Sequence, residues 1–132
     1  MTTNNNYKEY TVRVYNDGSK SWYLNGKRHR EDGPAIERAD GYKEWWLNGN
    51  RHRVDGPAVE DSDGSKYWYL NGKCHRVDGP AIEYADGSKE WYLNGIEYSE
   101  AQWKKEVAKK KNSCNGRIVE IDGKKYKLIE EK

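Results

Sequence analysis

The sequence lacks features that are typical of secreted scaffolds, metal-binding domains and membrane proteins. It has no Phe, two Cys and three Pro, and no apolar run is long enough for a membrane span or a signal peptide. Leu, Ile, Val and Phe together make up only 18 of the 132 residues, a content that favours disorder. Two cysteines allow neither a disulfide framework nor a cysteine-based metal site. A soluble chain in a reducing cytoplasm is therefore expected, and a membrane partner is not.

The six Trp and eleven Tyr supply the apolar area that the aliphatic residues do not. Each aromatic ring can bury a large surface, so the composition as a whole predicts a folded chain. Charge is distributed unevenly, because residues 99–132 carry a net +4 and residues 1–98 carry −2. Nucleic-acid-binding proteins concentrate positive charge on their binding surface. The near-neutral first part of the chain therefore argues against nucleic acid as a partner.

A pattern of 23 residues recurs along the chain. It begins with Asp-Gly-Pro-Ala, continues through a second Asp-Gly and a Trp-x-Leu-Asn-Gly segment, and ends with His-Arg. The copies span about residues 9–31, 32–54, 55–77 and 78–97, of which the first is partial and the last lacks the His-Arg end. Repeats of this length indicate supersecondary units that stack to build a shared core. The sequence thus predicts a repeat array, 1–97, and a separate C-terminal segment, 98–132.

Two dipeptides in each copy predict β-hairpins. Asn-Gly and Asp-Gly favour tight turns because both central residues of a type I′ turn need positive φ. A two-residue loop at Asn48-Gly49 would pair Trp46 with Arg51. The same kind of loop at Asp40-Gly41 would pair Glu37 with Glu44, and it would pair the preceding isoleucine with the first tryptophan of the strand.

These hairpins predict a mostly β fold, a single-layer antiparallel β-meander. At Asp17-Gly18 a three-residue loop with a glycine bulge fits better, because a two-residue loop would place Val14 on the polar face. Asp-Gly-Pro cannot continue a regular ladder, so it would kink each long strand. After residue 98 the pattern predicts a helix that begins at Ser99 and then a hairpin around Asp122-Gly123. Together these would cap the array.

The recurring histidines, His29, His52 and His75, are candidates for a metal site or for catalysis. Two strands per copy would hold successive histidines about 10 Å apart, whereas the ligands of one zinc ion lie about 2 Å from the metal. No Ser or Cys recurs beside them to act as a nucleophile. We therefore predict a structural role, in which each imidazole packs over a Trp and bonds to the backbone or to an Asp of the kink. No metal, cofactor or catalytic residue is predicted.

The aromatic strand centres and the nearby arginines are the candidate binding residues. Arg and aromatic pairs suit cation–π stacking and could hold a base, a nucleotide or a partner side chain, although the same pairs would also stabilise a solvated sheet face. The set comprises Trp22, Trp45, Trp46, Trp68, Tyr69, Trp91, Tyr92, Arg51, Arg53 and Arg76. In this pattern Cys74 occupies the position at which other copies have Arg28 and Arg51.

A single-layer sheet would leave an apolar face of Ile36, Trp45, Leu47 and His52 and their copies uncovered. One helix of about twelve residues spans about 18 Å, whereas four copies extend about 40 Å. Uncovered apolar surface on a soluble protein marks an interface. We therefore expect strong curvature, a homodimer through this face, or a partner protein that packs on it.

The glycine-punctuated hairpin with aromatic strand centres resembles MORN-type repeats, and in particular the variant found in bacteriophage and giant-virus proteins. The matching motifs are Gly26-Lys27-Arg28-His29-Arg30 and Asp32-Gly33-Pro34-Ala35, with copies at 49–58 and 72–81. The resemblance covers about residues 10–97. It implies an extended, virus-encoded β-sheet that is used for binding and that shares no enzyme activity.

Three functional hypotheses follow from the sequence. The favoured one is a non-enzymatic interaction protein that uses its aromatic surface to bind a protein, a host defence component if the chain is viral. The alternative is sequestration of a small anionic, nucleotide-like ligand in a pocket of Trp, Tyr and Arg between two copies of the chain. A hydrolase that uses the histidines is the third hypothesis.

Overall fold

The computed structural model describes residues 8–114, 118–121 and 124–127. The chain divides into two compact units, Met1–Glu97 and Tyr98–Lys132. As predicted, the described residues are mostly β and form an antiparallel meander, with one helix in the C-terminal part.

Short strands follow one another through the first part of the chain. They are β1 (Thr11–Val14), β2 (Lys20–Leu24), β3 (Lys27–Arg28), β4 (Ile36–Glu37), β5 (Lys43–Glu44), β6 (Trp46–Leu47), β7 (Asn50–Arg51), β8 (Val59–Glu60), β9 (Lys66–Tyr67), β10 (Tyr69–Leu70), β11 (Lys73–Cys74), β12 (Ile82–Glu83), β13 (Lys89–Leu93) and β14 (Ile96–Tyr98). The main sheet has the order β1-β2-β4-β5-β8-β9-β12-β13-β14, with β3 paired to β2. The Asn-Gly hairpins β6-β7 and β10-β11 form separate ladders.

Backbone bonds also join successive Asn-Gly hairpins. The glycine N–H of the last three Asn-Gly turns donates to a carbonyl of the preceding copy, from Gly49 to Arg28 (2.9 Å), from Gly72 to Arg51 (2.9 Å) and from Gly95 to Cys74 (2.8 Å). Each copy is therefore held to the next in two rows of strand pairs, one around the Asp-Gly turns and one around the Asn-Gly turns.

The Asn-Gly turns have the predicted geometry. Asn25, Asn48, Asn71 and Asn94 have φ of 50–52° and the glycines that follow them have φ of 77–82°, the positive pair that a type I′ turn requires. The predicted register is confirmed, since Trp46 pairs with Arg51 and Leu47 with Asn50.

The Asp-Gly turns differ from the two-residue loops predicted at Asp40-Gly41 and its copies. Arg38 N–H donates to the Tyr42 carbonyl (2.9 Å) and Gly41 N–H donates to the Arg38 carbonyl (3.1 Å), so that three residues form the loop. Of the loop residues only Gly41 has a positive φ, 96°, as in a type I turn followed by a glycine bulge. The prediction of a three-residue loop at Asp17-Gly18 is confirmed, and the two-residue prediction for the other copies is wrong by one residue.

The aspartate side chain explains why Asp-Gly and Asn-Gly behave differently here. In each Asp-Gly turn the carboxylate accepts a hydrogen bond from the backbone N–H two residues later, at 2.8–3.0 Å. Such an Asx contact stabilises the wider turn locally. The bonds run from Ser19 to Asp17, from Tyr42 to Asp40, from Ser65 to Asp63 and from Ser88 to Asp86.

Because the loop is one residue longer than predicted, side chains that were predicted to share a face lie on opposite faces of the sheet. Ile36 lies opposite Glu44 rather than opposite Trp45, and Glu37 lies opposite Lys43 rather than opposite Glu44. The observed register avoids the like-charge pair and instead builds a row of alternating charge across the main sheet, which cross-strand pairing favours. The row is Lys20, Glu37, Lys43, Glu60, Lys66, Glu83 and Lys89.

The core of the first unit combines the larger residues Val59, Ile82 and Leu93 with small residues at the points where strands meet. Ala35, Ala58 and Ala81, which follow the Asp-Gly-Pro kinks, have no exposed surface. Their carbonyls accept hydrogen bonds from the N–H groups of Trp22, Trp45 and Trp68 at 2.7–2.8 Å. The alanine thus lets the kinked strand lie close against the preceding tryptophan strand.

The second unit contains the predicted helix and hairpin. Helix α1 spans Glu100–Cys114, and the hydroxyl of Ser99 accepts the N–H of Gln102 at 3.2 Å, as an N-cap does. Trp103 and Val107 are buried on one face of α1. Strands β15 (Ile118–Ile121) and β16 (Lys124–Lys127) pair antiparallel, with Ile121 opposite Lys124.

Candidate functional site

The arginine of each His-Arg pair covers a tryptophan of its own copy. Its guanidinium carbon lies 3.8–3.9 Å from the centre of the indole ring, the distance of direct cation–π stacking. The pairs are Arg30 with Trp22, Arg53 with Trp45 and Arg76 with Trp68. We call the side of the sheet that bears these pairs the kink face.

The same guanidinium also fixes the Asp-Gly-Pro kink. Arg53 donates to Asp55 Oδ1 (3.1 Å) and to the Pro57 carbonyl (3.1 Å), and equivalent bonds link Arg30 to residues 32 and 34 and Arg76 to residues 78 and 80. A Cβ atom added to Gly56 would lie 2.9 Å from the guanidinium carbon of Arg53. Glycine at this position therefore leaves room for the side chain that holds the kink closed.

The histidines connect neighbouring copies. Nδ1 of His29, His52 and His75 accepts the backbone N–H of the asparagine that opens the next Asn-Gly turn, at 2.8–2.9 Å. The asparagine lies 19 residues further along the chain in each case. Because Nδ1 accepts a hydrogen bond, the proton of the neutral imidazole lies on Nε2. Within the described residues no group of His, Cys, Asp or Glu is arranged to hold a metal ion.

Several of the predicted binding residues thus belong to contacts of the array itself. Trp22, Trp45 and Trp68 lie under guanidinium groups, and the donors of Arg53 and Arg76 are engaged by the kink. Trp91 stands at the equivalent position of the last copy, which has no His-Arg pair. The expectation of an uncovered tryptophan face is wrong for the first three copies, because a cation from the same copy shields each ring.

Open clefts separate successive kinks on this face. One of about 610 Å³ lies between the kink of Arg30–Gly33 and the ring of Trp45, and an equivalent cleft of about 470 Å³ lies beside Trp68. Val54 and Val77 stand at their rims with 84% and 50% of their surface exposed. The clefts are repeated features of the scaffold.

The opposite side of the sheet carries a different kind of cluster, centred on Glu44. This side chain is buried, yet it accepts hydrogen bonds from the Tyr42 hydroxyl (2.5 Å), Trp46 Nε1 (2.6 Å) and Arg51 Nε (3.1 Å). Strand alternation separates these residues from Trp45, so the predicted binding residues Trp45 and Trp46 lie on opposite faces.

Electrostatics at the cluster follow from burial and pairing. Burial by itself would raise the pKa of Glu44, but the hydrogen bonds from Tyr42 and Arg51 outweigh it and lower that pKa below its usual value. Burial and the adjacent Glu44 raise the pKa of Tyr42 to about 12. A carboxylate and a guanidinium therefore remain charged side by side in a partly dry environment, where their attraction is stronger than in water.

Stacked guanidinium groups and rings extend this cluster across the strands. Trp46 lies between the guanidinium carbons of Arg28 and Arg51, each 5.3 Å from its ring centre. Arg51 also lies 5.6 Å from the ring of Tyr69 in the next copy. The cross-strand pairs Tyr69 with Cys74 and Ile82 with Glu90 continue the same face towards the end of the array.

Several sets of equivalent residues on this second side, which we call the variable face, differ between copies. Equivalent positions hold Ser21, Glu44, Tyr67 and Glu90, then Tyr23, Trp46, Tyr69 and Tyr92, and then Arg28, Arg51, Cys74 and Glu97. On the kink face the corresponding Trp, Leu, His and Arg positions are nearly constant. The sequence reasoning missed Tyr42, Glu44, Tyr67 and Glu90, although this difference between copies is visible in the sequence.

Comparison with known proteins gives no relative, since no family model, curated protein or solved structure matches the chain. The resemblance to MORN-type repeats therefore remains a prediction. In the described part of the chain no helix has the length and apolar character needed to cross a bilayer.

Proposed function

We propose that the chain is a non-enzymatic interaction protein that binds a partner protein through its variable face. The observation that carries this proposal is that aromatic, acidic and arginine positions of the variable face differ between copies, whereas the Trp, Leu, His and Arg positions of the kink face are nearly constant. Repeat proteins present extended binding surfaces on a scaffold of recurring contacts. A scaffold position must be the same in every copy, whereas a position that contacts a partner need not be.

The contacts of the constant residues support this division. The Arg–Trp stacks, the Asp-Gly-Pro kinks and the histidine bonds to the next turn are each completed within the array. Glu44, Trp46 and Tyr69, in contrast, have different counterparts in other copies, so stacking of the copies does not require them. Trp46 and Tyr69 remain partly accessible, and aromatic and arginine side chains are the groups that most often dominate protein interfaces.

The histidine geometry supports a role other than catalysis. General-base catalysis requires a free imidazole nitrogen directed at a substrate or a nucleophile. In each of the three copies Nδ1 is engaged by a backbone N–H group. Following the resemblance to viral MORN-type proteins, we further propose that the partner is a host protein in the cytoplasm.

A second function, sequestration of a small anionic ligand, is favoured by one specific observation. A cleft of about 540 Å³ near the start of the array is lined by Tyr15, Lys20, Arg28 and Arg38, among others. Such a combination of cations and an aromatic ring suits a nucleotide-like anion. These are not the arginines that the sequence analysis selected, since Arg51 is paired with Glu44 and Arg53 with its kink.

The proposal can be tested with matched variants as affinity baits. A Trp46→Ala/Tyr69→Ala variant changes the variable face, and a Lys43→Ala/Lys66→Ala variant changes the charged row on the other side of the sheet. Both are first shown to be folded by circular dichroism. The expected result is that proteins enriched by the wild-type bait from host lysate are lost with the first variant and retained with the second. Enrichment of the same proteins by both variants would contradict the proposal.

Native mass spectrometry on gently purified protein distinguishes the alternative. A bound species of a few hundred daltons that is lost on Arg28→Ala/Arg38→Ala substitution would establish sequestration of a small ligand. A dimer mass would instead identify a second copy of the chain as the partner. A monomer mass without a bound species, together with enrichment of lysate proteins that depends on Trp46 and Tyr69, would support the proposed function.

A further inference from the structure

The guanidinium groups of the variable face decrease in number from Trp46 towards the end of the array. Trp46 has one on each side, from Arg28 and Arg51, and Tyr69 has one, from Arg51. Tyr92 is the next ring in this row, and within the described residues no guanidinium lies over it. Tyr92, the ring that ends the row, is only partly buried.

The sequence explains this difference between the copies. The position that supplies Arg28 and Arg51 holds Cys74 in the third copy and Glu97 in the fourth. Cysteine is too short to cross to the next strand, and glutamate has the opposite charge. Cys74 is half-buried and Glu97 is exposed, so the space beside Tyr92 is bordered by a thiol and a carboxylate instead of two cations.

The carboxylates differ in the same way. Glu44 binds Arg51 at 3.1 Å. Glu90 occupies the position of Glu44 in the last copy and accepts a hydrogen bond from the Tyr84 hydroxyl at 3.1 Å. Among the residues that the structure describes, no Lys or Arg lies within ion-pair distance of Glu90.

Strand geometry places Glu90 and Glu97 beside the same ring, since Glu90 and Tyr92 lie two residues apart on β13 and the neighbouring strand β14 carries Glu97. Burial and then the charges of Glu90 and Glu97 raise the pKa of Tyr92 to about 12. The same causes, in the same order, raise the pKa of the Cys74 thiol to about 12. A ring face and two carboxylates therefore converge where the second copy holds its own guanidinium.

From this internal comparison we infer that Tyr92, Glu90, Glu97 and Cys74 form a recognition site for a cationic side chain, the guanidinium of an arginine on the partner protein. We call this the Tyr92 site. A guanidinium can stack its flat face on the ring while its edges donate to carboxylates, as Arg51 does between Trp46, Tyr69 and Glu44. The identity of the ligand as part of a partner rests on the proposed function, whereas cation binding is a property of this chain alone.

The Tyr92 site can be tested without knowledge of the partner. The ¹H–¹⁵N spectrum of the full chain is recorded during titration with N-acetyl-arginine amide, and in parallel with N-acetyl-citrulline amide, a neutral compound of nearly the same shape. Ionic strength is kept constant. We expect saturable shifts for the amides of Cys74 and Tyr92 with arginine, with a dissociation constant on the order of millimolar, and no saturation with citrulline.

Substitutions show which residues are responsible for the spectral response to arginine. Glu90→Gln/Glu97→Gln should weaken arginine binding by about tenfold or more, because the charge-assisted hydrogen bonds are lost. Glu60→Gln, on the other side of the sheet, is the matched control and should leave binding unchanged. Cys74→Arg supplies the guanidinium from within the chain, and it should abolish the response to free arginine and raise the melting temperature. Glu97→Arg, which restores the pairing seen between Glu44 and Arg51, should do the same if Cys74→Arg does not fold.

Equal binding of citrulline and arginine would overturn the inference, because it would show stacking without recognition of charge. Absence of shifts at Tyr92, or arginine binding that is unaffected by Glu90→Gln/Glu97→Gln, would overturn it as well. These outcomes are separate from the bait experiment. Arginine binding can persist when no lysate protein depends on the variable face, in which case the proposed function fails and the Tyr92 site stands.

Discussion

The two faces of this sheet stabilise partly buried aromatic rings in different ways. On the kink face every Trp of the first three copies is covered by an Arg of its own copy, and the guanidinium is fixed by the kink beneath it. On the variable face the rings and cations alternate between copies, as in the stack of Arg28, Trp46 and Arg51. A contact made within one copy can be repeated indefinitely, whereas a stack that runs between copies changes whenever one member changes.

This difference predicts which substitutions damage the fold and which alter binding. Residues of the kink face should affect stability strongly and in the same way in each copy. Residues of the variable face should have smaller effects on stability that depend on the copy. The following predictions run from the largest expected effect to the smallest.

Removal of a kink arginine should have the largest effect. Arg53→Ala should lower the free energy of unfolding by about 2–3 kcal/mol, since it uncovers Trp45 and leaves the Pro57 carbonyl without its donor. The ion pair with Asp55 contributes little, because that carboxylate is 85% exposed. Urea denaturation measures the change. The control is Arg38→Ala, in which an exposed arginine stacked on Tyr42 is removed; a loss as large as that of Arg53→Ala would contradict the division between the faces.

Loss of one histidine bond should have a moderate effect. His52→Ala should lower the free energy of unfolding by about 1–2 kcal/mol, because the N–H of Asn71 loses its acceptor and the imidazole its packing. His52→Asn places an oxygen near the position of Nδ1 and should recover part of the loss. Thermal unfolding compares the two variants. Equal melting temperatures for His52→Ala and His52→Asn would show that the hydrogen bond between copies is not what the histidine contributes.

Reversal of one charge in the Lys–Glu row tests the observed register. Lys43→Glu would place three carboxylates side by side, with Glu37 and Glu60 as neighbours, and should cost about 1 kcal/mol at low salt. The cost should shrink in 1 M NaCl, since exposed charges are screened. Lys43→Gln is the control. If the row were not formed, Lys43→Glu and Lys43→Gln would have the same salt dependence.

Alkaline pH should gradually reduce the contribution that Tyr42, on the variable face, makes to the stability of the fold. The pKa of Tyr42 is raised from 10 to about 12 in the folded state by burial and by Glu44. Its contribution to stability is therefore complete below pH 10 and is lost as the pH rises through 12. Absorbance at 295 nm and thermal unfolding between pH 9 and 12 measure the two effects. Tyr42→Phe should flatten this decline, whereas Tyr15→Phe, at an exposed position, should leave it unchanged.

Much of the fold was predictable because the local chemistry repeats. Asn-Gly at four positions determined the turn type and the register around Trp46 and Leu47. The Asp-Gly register was predicted one residue off, yet the sequence contained the information to correct it. The two-residue loop would have placed Glu37 opposite Glu44, and the alternation of Lys and Glu across the strands favours the observed pairing.

The candidate site was only partly predictable. Trp46, Tyr69, Tyr92 and Arg51 were selected from the sequence and do share the variable face. Trp45 and Arg53 were selected with them, but they belong to the other face. Glu44 was not selected, since a single glutamate in a strand gives no sign that three donors will surround it. Only the difference between equivalent positions, compared face by face, identifies that set.

The sequence by itself determined the 23-residue unit, its Asn-Gly hairpin turns, the kink at each Asp-Gly-Pro and the helix start at Ser99. These features depend on φ preferences and hydrogen bonds between residues close in the chain. The tertiary structure alone decided which nitrogen of each histidine meets the next turn, which ring each guanidinium covers and where Glu90 and Glu97 converge. Those contacts join copies or cross the sheet, so they depend on how adjacent copies stack rather than on any single stretch of residues.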